Sequence, residues 1–251
     1  MIRAVLVVVP AHDEEALIAD CLASVARAAA HPRLAGVAVA TTVVADACRD
    51  DTAAIARRHG ARVVEVVRRN VGAARAAGTR SALTEATATG LAPASVWLAH
   101  TDADSQVPHD WLADHLDRAA EGFDAVLGTV DVHGWSRHAP LTRVRYLHDY
   151  HAYRATSREH PHVHGANLGV RADAYLGAGG FRPLATGEDR ALAAALERRR
   201  CRIHRCDSRP VRTSGRRDFR APGGLGSLLA DIAATREQSV VPPPPLSPGV
   251  G

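Results

Sequence analysis

The sequence contains no lysine: all 31 of its basic side chains are arginine, set against 27 carboxylates for a formal charge of +4. A pI near 9.2 raises nucleic acid as a partner, so the placement of the charge matters more than its size. Arg198, Arg199, Arg200, Arg202, Arg205, Arg209, Arg212, Arg216, Arg217 and Arg220 crowd one late stretch, interleaved with a single aromatic residue, Phe219. Single strands need stacking platforms, and aromatics are only 4% of the chain. The expectation is a solvated basic face, or one meeting a diphosphate or lipid headgroup, and no nucleic acid. Cysteine is scarce too: Cys21, Cys48, Cys201 and Cys206 form no CxxC pair and have no histidine at zinc-finger spacing. Neither a disulfide framework nor structural zinc is expected, which fits a reducing compartment. No run approaches the ~20 apolar residues of a membrane span, and the first apolar run, Val5 to Val9, starts too close to Met1 for a signal peptide. A cytoplasmic protein, at most peripheral to the inner face of a membrane, is expected.

What is present is an alternation of short apolar runs with helical patterns. Ala4 to Val9 reads as a strand buried on both faces, followed by a helix that carries Asp13, Glu14 and Glu15 in its first turn and Leu17, Ile18, Cys21, Leu22 and Val25 on one side. Strands follow at 37–45, 62–67, 95–100 and 123–132, with helices at 51–59, 70–89 and from Pro108. This is the α/β class: one domain over 1–238 with a mostly parallel sheet flanked by helices, its residues 1–132 on the nucleotide side and 133–238 on the acceptor side. Beyond 134 the pattern loosens into a Tyr- and His-rich helix at 141–156, turns at 165–181, a helix at 188–200, a strand at 201–206 and a helix at 225–236. Pro242 to Pro245 opens a tail, 239–251, expected to be extended and disordered.

Ligands of open α/β sheets gather at strand C-termini, and four such places carry unusual residues. The first strand runs into Pro10-Ala11-His12-Asp13-Glu14-Glu15, with no glycine-rich turn, which disfavours a dinucleotide enzyme. Its acids either complement a helix dipole or face a ligand. Asp46 follows an apolar strand directly, where it can accept from the ring N–H of a base or serve a loop turn. Asp102 and Asp104 flank Ala103 as another strand runs out; alternation puts both carboxylates on one side, able to hold Mg²⁺ or Mn²⁺ while leaving positions for a diphosphate. Glu188 and Asp189 open a helix, a place where acids are ordinarily dipole partners.

Taken in order, these segments resemble the family 2 glycosyltransferases of the GT-A fold, over about residues 3 to 220. Pro10-Ala11-His12-Asp13-Glu14-Glu15 resembles the family's opening nucleotide loop, and Asp46 its base-recognising aspartate. Asn70-Val71-Gly72-Ala73-Ala74-Arg75 resembles its Asn-Gly segment closed by arginine, and Thr101-Asp102-Ala103-Asp104 its metal motif. Gly165 to Arg171 with Gly179-Gly180-Phe181 resembles its acceptor-side segment, and Gly187-Glu188-Asp189 its Glu-Asp motif.

The resemblance implies a nucleoside-diphosphate sugar as donor, UDP-sugars favoured, with Mn²⁺ or Mg²⁺ and inversion at the anomeric carbon. Asp189 would be the general base, with Glu188 as the fallback. Pro10, Ala11, Asp13, Glu15, Asp46, Gly72, Arg75, Asp102, Ala103 and Asp104 would line the donor, Asp46 and Arg75 on the base, Asp104 on the metal, and Asp102 on ribose or metal. His164, Gly165, Asn167 and Trp135 are acceptor candidates, and Arg216 or Arg217 would meet the diphosphate or lie on the surface. The acceptor would be a small molecule, a lipid-linked sugar or a glycan.

Ala47 and Cys48 stand where the family often has Gly-Ser, and the processive Gln-x-x-Arg-Trp motif is missing, so single-sugar transfer is favoured. The rivals are a sugar nucleotidyltransferase, which would open on a Gly-rich basic loop, and a catalytically silent nucleotide-sugar-binding module. His160, His162 and His164 alternate and would share one face of an extended chain, as metal ligands or, more simply, as loop and pocket residues.

Overall fold

The computed structural model describes residues 1–217 and 223–238; Phe219, Arg220 and the proline-rich tail lie outside the described residues. The valine-rich run becomes β1 (Ala4–Ala11), the centre of a parallel group with β2 (Ala38–Asp46), β3 (Arg62–Val66) and β4 (Val96–His100). Between and after them come α1 (Ile18–Ala29), α2 (Thr52–Arg58), α3 (Val71–Ala88), the short β5 (Ser105–Gln106) and α4 (Trp111–Ala120). The second half adds β6 (Ala125–His133), α5 (Pro140–His151), β7 (Leu168–Arg171), α6 (Ala172–Gly177), α7 (Glu188–Arg198), β8 (Ile203–Ser214) and α8 (Leu225–Gln238).

All eight strands join one sheet in the order β3-β2-β1-β4-β7-β6-β8-β5. Alternation along β1 divides the core. Val5, Val7 and Val9 face α1 and α4, packing on Ile18, Leu22, Val25, Trp111 and Leu112. Leu6 faces the other way, with Leu98, Leu127, Leu168, Leu192 and Leu196. Each fully buried aliphatic side chain contributes ~1.5–3 kcal/mol, so both faces are strongly specified, as a near-continuous apolar strand requires.

Three boundaries differ from the sequence expectation. The first helix begins at Ile18, because Asp13 adopts φ +51 and the chain makes a turn through 15–17 before winding up. β7 and α6 occupy part of the stretch read as turns; β7 is antiparallel to both β4 and β6 and interrupts the parallel run. β8 continues to Ser214 because it pairs in parallel with β6 and then antiparallel with β5. Its last residues are polar, so apolar periodicity gave no sign of them. Much of the arginine-rich stretch is spent internally: Arg205 pairs with Glu197 at 2.8 Å, Arg209 with Asp110 at 2.6 Å, and Arg202 lies over the Phe123 ring.

Candidate functional site

The loops after β1 and β2 are knitted together. Glu14 N donates to Thr52 Oγ1 at 2.7 Å, Glu15 N to Asp50 Oδ2 at 2.9 Å, Asp51 N to Glu15 Oε2 at 3.1 Å and Arg49 N to Asp13 Oδ1 at 2.7 Å. Cys48 Sγ meets Ala11 O at 3.4 Å, just after Pro10 at the end of β1. A cleft of about 350 Å³ opens between these loops, lined by Asp13, Glu14, Glu15, Ala16, Arg49, Asp50 and Arg216. Asp46 is buried, and its carboxylate accepts from the backbone N–H groups of Arg68, Arg69 and Asn70 at 2.6, 2.8 and 2.9 Å. Those bonds satisfy three backbone donors in the loop that leads into α3, whose N-cap is Asn70 through Oδ1 to Ala73 N at 2.8 Å. The loop-turn reading of Asp46 is therefore realised in the fold.

Two residues assigned to the donor sit elsewhere. Gly72 lies under the backbone of 182–184: a Cβ there would come within 2.8 Å of Leu184 O. Its role is close approach between α3 and the acceptor half. Arg75, expected on the base, is 1% exposed and reaches inward instead. Its Nε bonds Glu188 Oε1 at 3.1 Å, its Nη2 bonds Asp102 Oδ1, and Phe181 stacks against it. A guanidinium so committed to two carboxylates links the metal-motif segment to the start of α7.

β4 ends at His100, so 102–104 is a turn closed by Ser105 N to Asp102 O at 3.0 Å, and strand alternation does not govern its side chains. Ala103 packs into the core, and the two acids find different cations. Asp102 meets Arg75, whereas Asp104 lies 3.3 Å from Arg216 Nη2. Arg216 also grips Glu14 with both terminal nitrogens, Nη1 to Oε2 at 2.6 Å. Burial, then the neighbouring Asp102, pushes the Asp104 carboxyl up to about 7, against the pull of Arg216. A hard divalent cation fits here, since the donor set is all carboxylate oxygen and Asp104 has too little positive charge around it. Glu14 was not among the donor candidates: in a run of three acids nothing distinguishes the one whose side chain turns inward.

The acceptor-side residues separate. Asp189 is half-buried and held by Gly165 N at 2.8 Å on Oδ2 and Arg190 N at 2.7 Å on Oδ1. Glu188 is 5% exposed on Arg75; burial raises its carboxyl while Arg75 opposes the shift. Gly165 is required by Arg75, whose guanidinium carbon would lie 2.8 Å from an added Cβ. Asn167 corrects the expectation of an acceptor contact. Its amide accepts from Trp111 Nε1 at 2.9 Å and donates to Thr129 O and Arg209 O at 2.9 and 3.0 Å, fully buried. It pins α4, β6 and β8 together.

The His160, His162 and His164 rings do share a face, stacked on one another and on Tyr150. Their nitrogens are taken up by protein, not arranged for an ion: His160 Nε2 bonds Leu127 O at 3.1 Å and His162 Nε2 bonds Tyr150 O at 2.7 Å. His164 Nε2 accepts from the Tyr150 hydroxyl at 2.9 Å, and desolvation lowers its pKa to about 3, so it stays neutral. Trp135 packs on Tyr146 and His138, and Arg217 points to a separate groove beside α8. Among the described residues, one triad of ligand-type side chains lies close enough to share an ion, Asp13, Cys48 and Asp50, all within 4.8 Å. No helix among the described residues is long and apolar enough to cross a membrane.

Comparison with known proteins fits this arrangement. TarS 1-349 from S. aureus, solved with UDP-GlcNAc, superimposes with a TM-score of 0.61 at 14% identity over 92% of this chain and 65% of its own. The mannosyltransferase PcManGT from Pyrobaculum calidifontis, solved with GDP-Man and Mn²⁺, gives 0.60 at 21% identity over 85% and 57%. Glucosyl-3-phosphoglycerate synthase from Mycobacterium tuberculosis, solved with phosphoglyceric acid, gives 0.52 at 20% over 93% and 80%. The chain thus spans less than two thirds of the length of the first two, and at these identities the likeness is one of fold, GT-A. No curated protein matches in sequence. The model of the glycosyl transferase family 2 matches residues 6–176, more than half of the chain, and the chain belongs to that family.

Proposed function

We propose that this family 2 glycosyltransferase moves one sugar from a nucleoside-diphosphate donor to an acceptor hydroxyl with inversion, in a reaction assisted by a divalent cation. The observation that carries the reading is the link through Arg75, which ties Asp102 on one side of the site to Glu188 on the other and leaves Asp104 and Asp189 free of it. Donors of this kind occur in the structures of TarS, with UDP-GlcNAc, and of PcManGT, with GDP-Man and Mn²⁺. UDP-sugars are the favoured class.

The cleft between the β1 and β2 loops receives the nucleotide, with Asp13, Glu15 and the Asp46-ordered loop around it. Asp104, with Asp102, holds Mn²⁺ or Mg²⁺, which supplies positive charge against the departing diphosphate. Arg216 adds a guanidinium at the same end, with Glu14 orienting it. Asp189 accepts the proton of the acceptor hydroxyl as that oxygen bonds to the anomeric carbon and the bond from that carbon to the diphosphate breaks. The two backbone N–H bonds fix the aspartate's orientation for that task. A single domain over 1–238, cytoplasmic and at most peripheral to a membrane, is part of the same proposal.

The test is release of nucleoside diphosphate from a panel of UDP- and GDP-sugars by purified protein with Mn²⁺ and no acceptor. Metal-dependent release from at least one donor is expected. Absence of both release and binding across the panel would overturn the donor assignment.

A further inference from the structure

We propose that the acceptor is an amphiphilic anion, a hydroxyl-bearing molecule whose acidic group and apolar body both seat in the groove between α5 and α8. The inference rests on the donor reading above and adds the chemical class of the second substrate. The groove has a volume of about 700 Å³, within the range of small-molecule sites, and is lined by Arg137, His138, Ala139, Thr142, Arg217, Gly226, Leu229, Ala230, Ala233 and Ala234. Its lining contains no acid, in contrast to the donor cleft, which is walled by Asp13, Glu14, Glu15 and Asp50. Among the described residues neither Arg137 nor Arg217 has a carboxylate partner. Two uncommitted guanidinium groups at one cavity are a site for carboxylate or phosphate.

The remainder of the lining is apolar. Gly226, Ala230, Ala233 and Ala234 recur on one face of α8 and leave room that larger side chains would fill, and Leu229 is fully buried beneath them. Leu141 and Leu228, next in sequence to the lining residues Thr142 and Leu229, stay 41% and 48% exposed and extend the apolar surface past the cavity. A headgroup alone would leave this wall wet, and a neutral chain would leave the guanidinium groups unmatched.

Both walls run into the reaction site. His138 Nε2 bonds Gly215 O, immediately before Arg216 turns to Glu14 and Asp104 while Arg217 turns into the groove. On the other wall, Gly223 O accepts from Thr186 Oγ1 at 3.4 Å, two residues before Glu188. An acceptor lying in the groove therefore has its reactive end directed toward Asp189.

The experiment measures binding of decyl phosphate, decanoate, decyl glucoside and inorganic phosphate to the whole protein by calorimetry, below the micelle concentration of each amphiphile. At least one charged decyl probe is expected to bind about tenfold or more tighter than decyl glucoside and than inorganic phosphate, and the tighter of the two names the headgroup. Arg137→Gln should remove the preference for charge, and Ala233→Phe should weaken every decyl probe about tenfold. Donor release should stay within about twofold of wild type in both variants. Ala230→Leu, at an exposed position, serves if Ala233→Phe does not fold. Equal affinity for decyl phosphate and decyl glucoside, affinity for inorganic phosphate as high as for decyl phosphate, or unaltered binding in the folded variants overturns the proposal. Wild-type protein that binds the amphiphiles but releases no nucleotide breaks the donor reading instead, whereas intact release without amphiphile binding breaks only this inference.

Discussion

The two acidic segments, 102–104 after β4 and 188–189 at the start of α7, are built alike from different local structure. Each has one carboxylate locked onto Arg75, Asp102 in the first and Glu188 in the second. Each has a second carboxylate outside that lock: Asp104 beside Arg216, and Asp189 on two backbone N–H groups. The locked acids set geometry and the outer acids are left for chemistry. The difference lies in charge: a guanidinium already stands near Asp104, whereas Asp189 is oriented by neutral donors, which suits a cation site and a proton acceptor respectively.

Exchanging the outer acids for their amides is the sharpest way to break the comparison. Asp189→Asn should lower transfer by about a hundred- to ten-thousandfold, the usual contribution of a positioned base, with donor affinity unchanged. Asp104→Asn should instead lose metal-assisted donor binding. Steady-state kinetics with calorimetric donor binding separates the two, and equal loss of both functions in both variants would contradict the division. Next in size is Arg75→Met, which strands two carboxylates and should cost ~3–5 kcal/mol in urea unfolding. Adding Glu188→Gln should recover part of that loss through a double-mutant cycle. Strict additivity would show that the two acids are not held through one cation.

The halves of the chain were not equally legible. The parallel group β1 to β4 was plain in the sequence because strands buried on both faces appear as unbroken apolar runs, Ala4 to Val9 being the clearest. β7 and the end of β8 were not, since four residues inside a glycine-rich stretch and a polar strand end carry no periodicity. The site was readable as a set of residues at strand ends but not as a network. Arg75 and Glu188 are 113 positions apart, and nothing local shows that a helical arginine turns inward. Asn167 misled for a related reason: a polar residue between glycines looks like a binding loop, and only burial shows it bonding three parts of the fold.

Gly165→Ala tests whether the lock needs its cradle. The added methyl group meets the Arg75 guanidinium, so the variant should lose ~1–3 kcal/mol, as overpacked sites do. It should also reduce transfer, because Gly165 N holds Asp189. Thermal melts alongside kcat are the measurement. A drop in stability with unaltered kcat would separate the lock from the base, and the parallel between the segments would fail on the α7 side.

The smallest expected effect concerns Asp104 without metal. Its folded pKa stands near 7, raised by burial and by Asp102, against 3.8 as the model value. The folded protein therefore holds a proton that the unfolded chain releases, and this group costs stability as pH rises from about 4 to 7, with no further change above. Asp104→Asn removes that cost. In EDTA the variant should melt higher than wild type at pH 8, by about 2–4 °C for each ~1 kcal/mol recovered, and the gap should narrow at pH 5. With Mn²⁺ and UDP the order should reverse, because the carboxylate then has its cation and binding to the folded state adds to wild-type stability alone. A gap of the same size at pH 5 and pH 8 would mean that the Asp104 carboxyl is not strained by its surroundings, and the contrast with Asp189 would reduce to position.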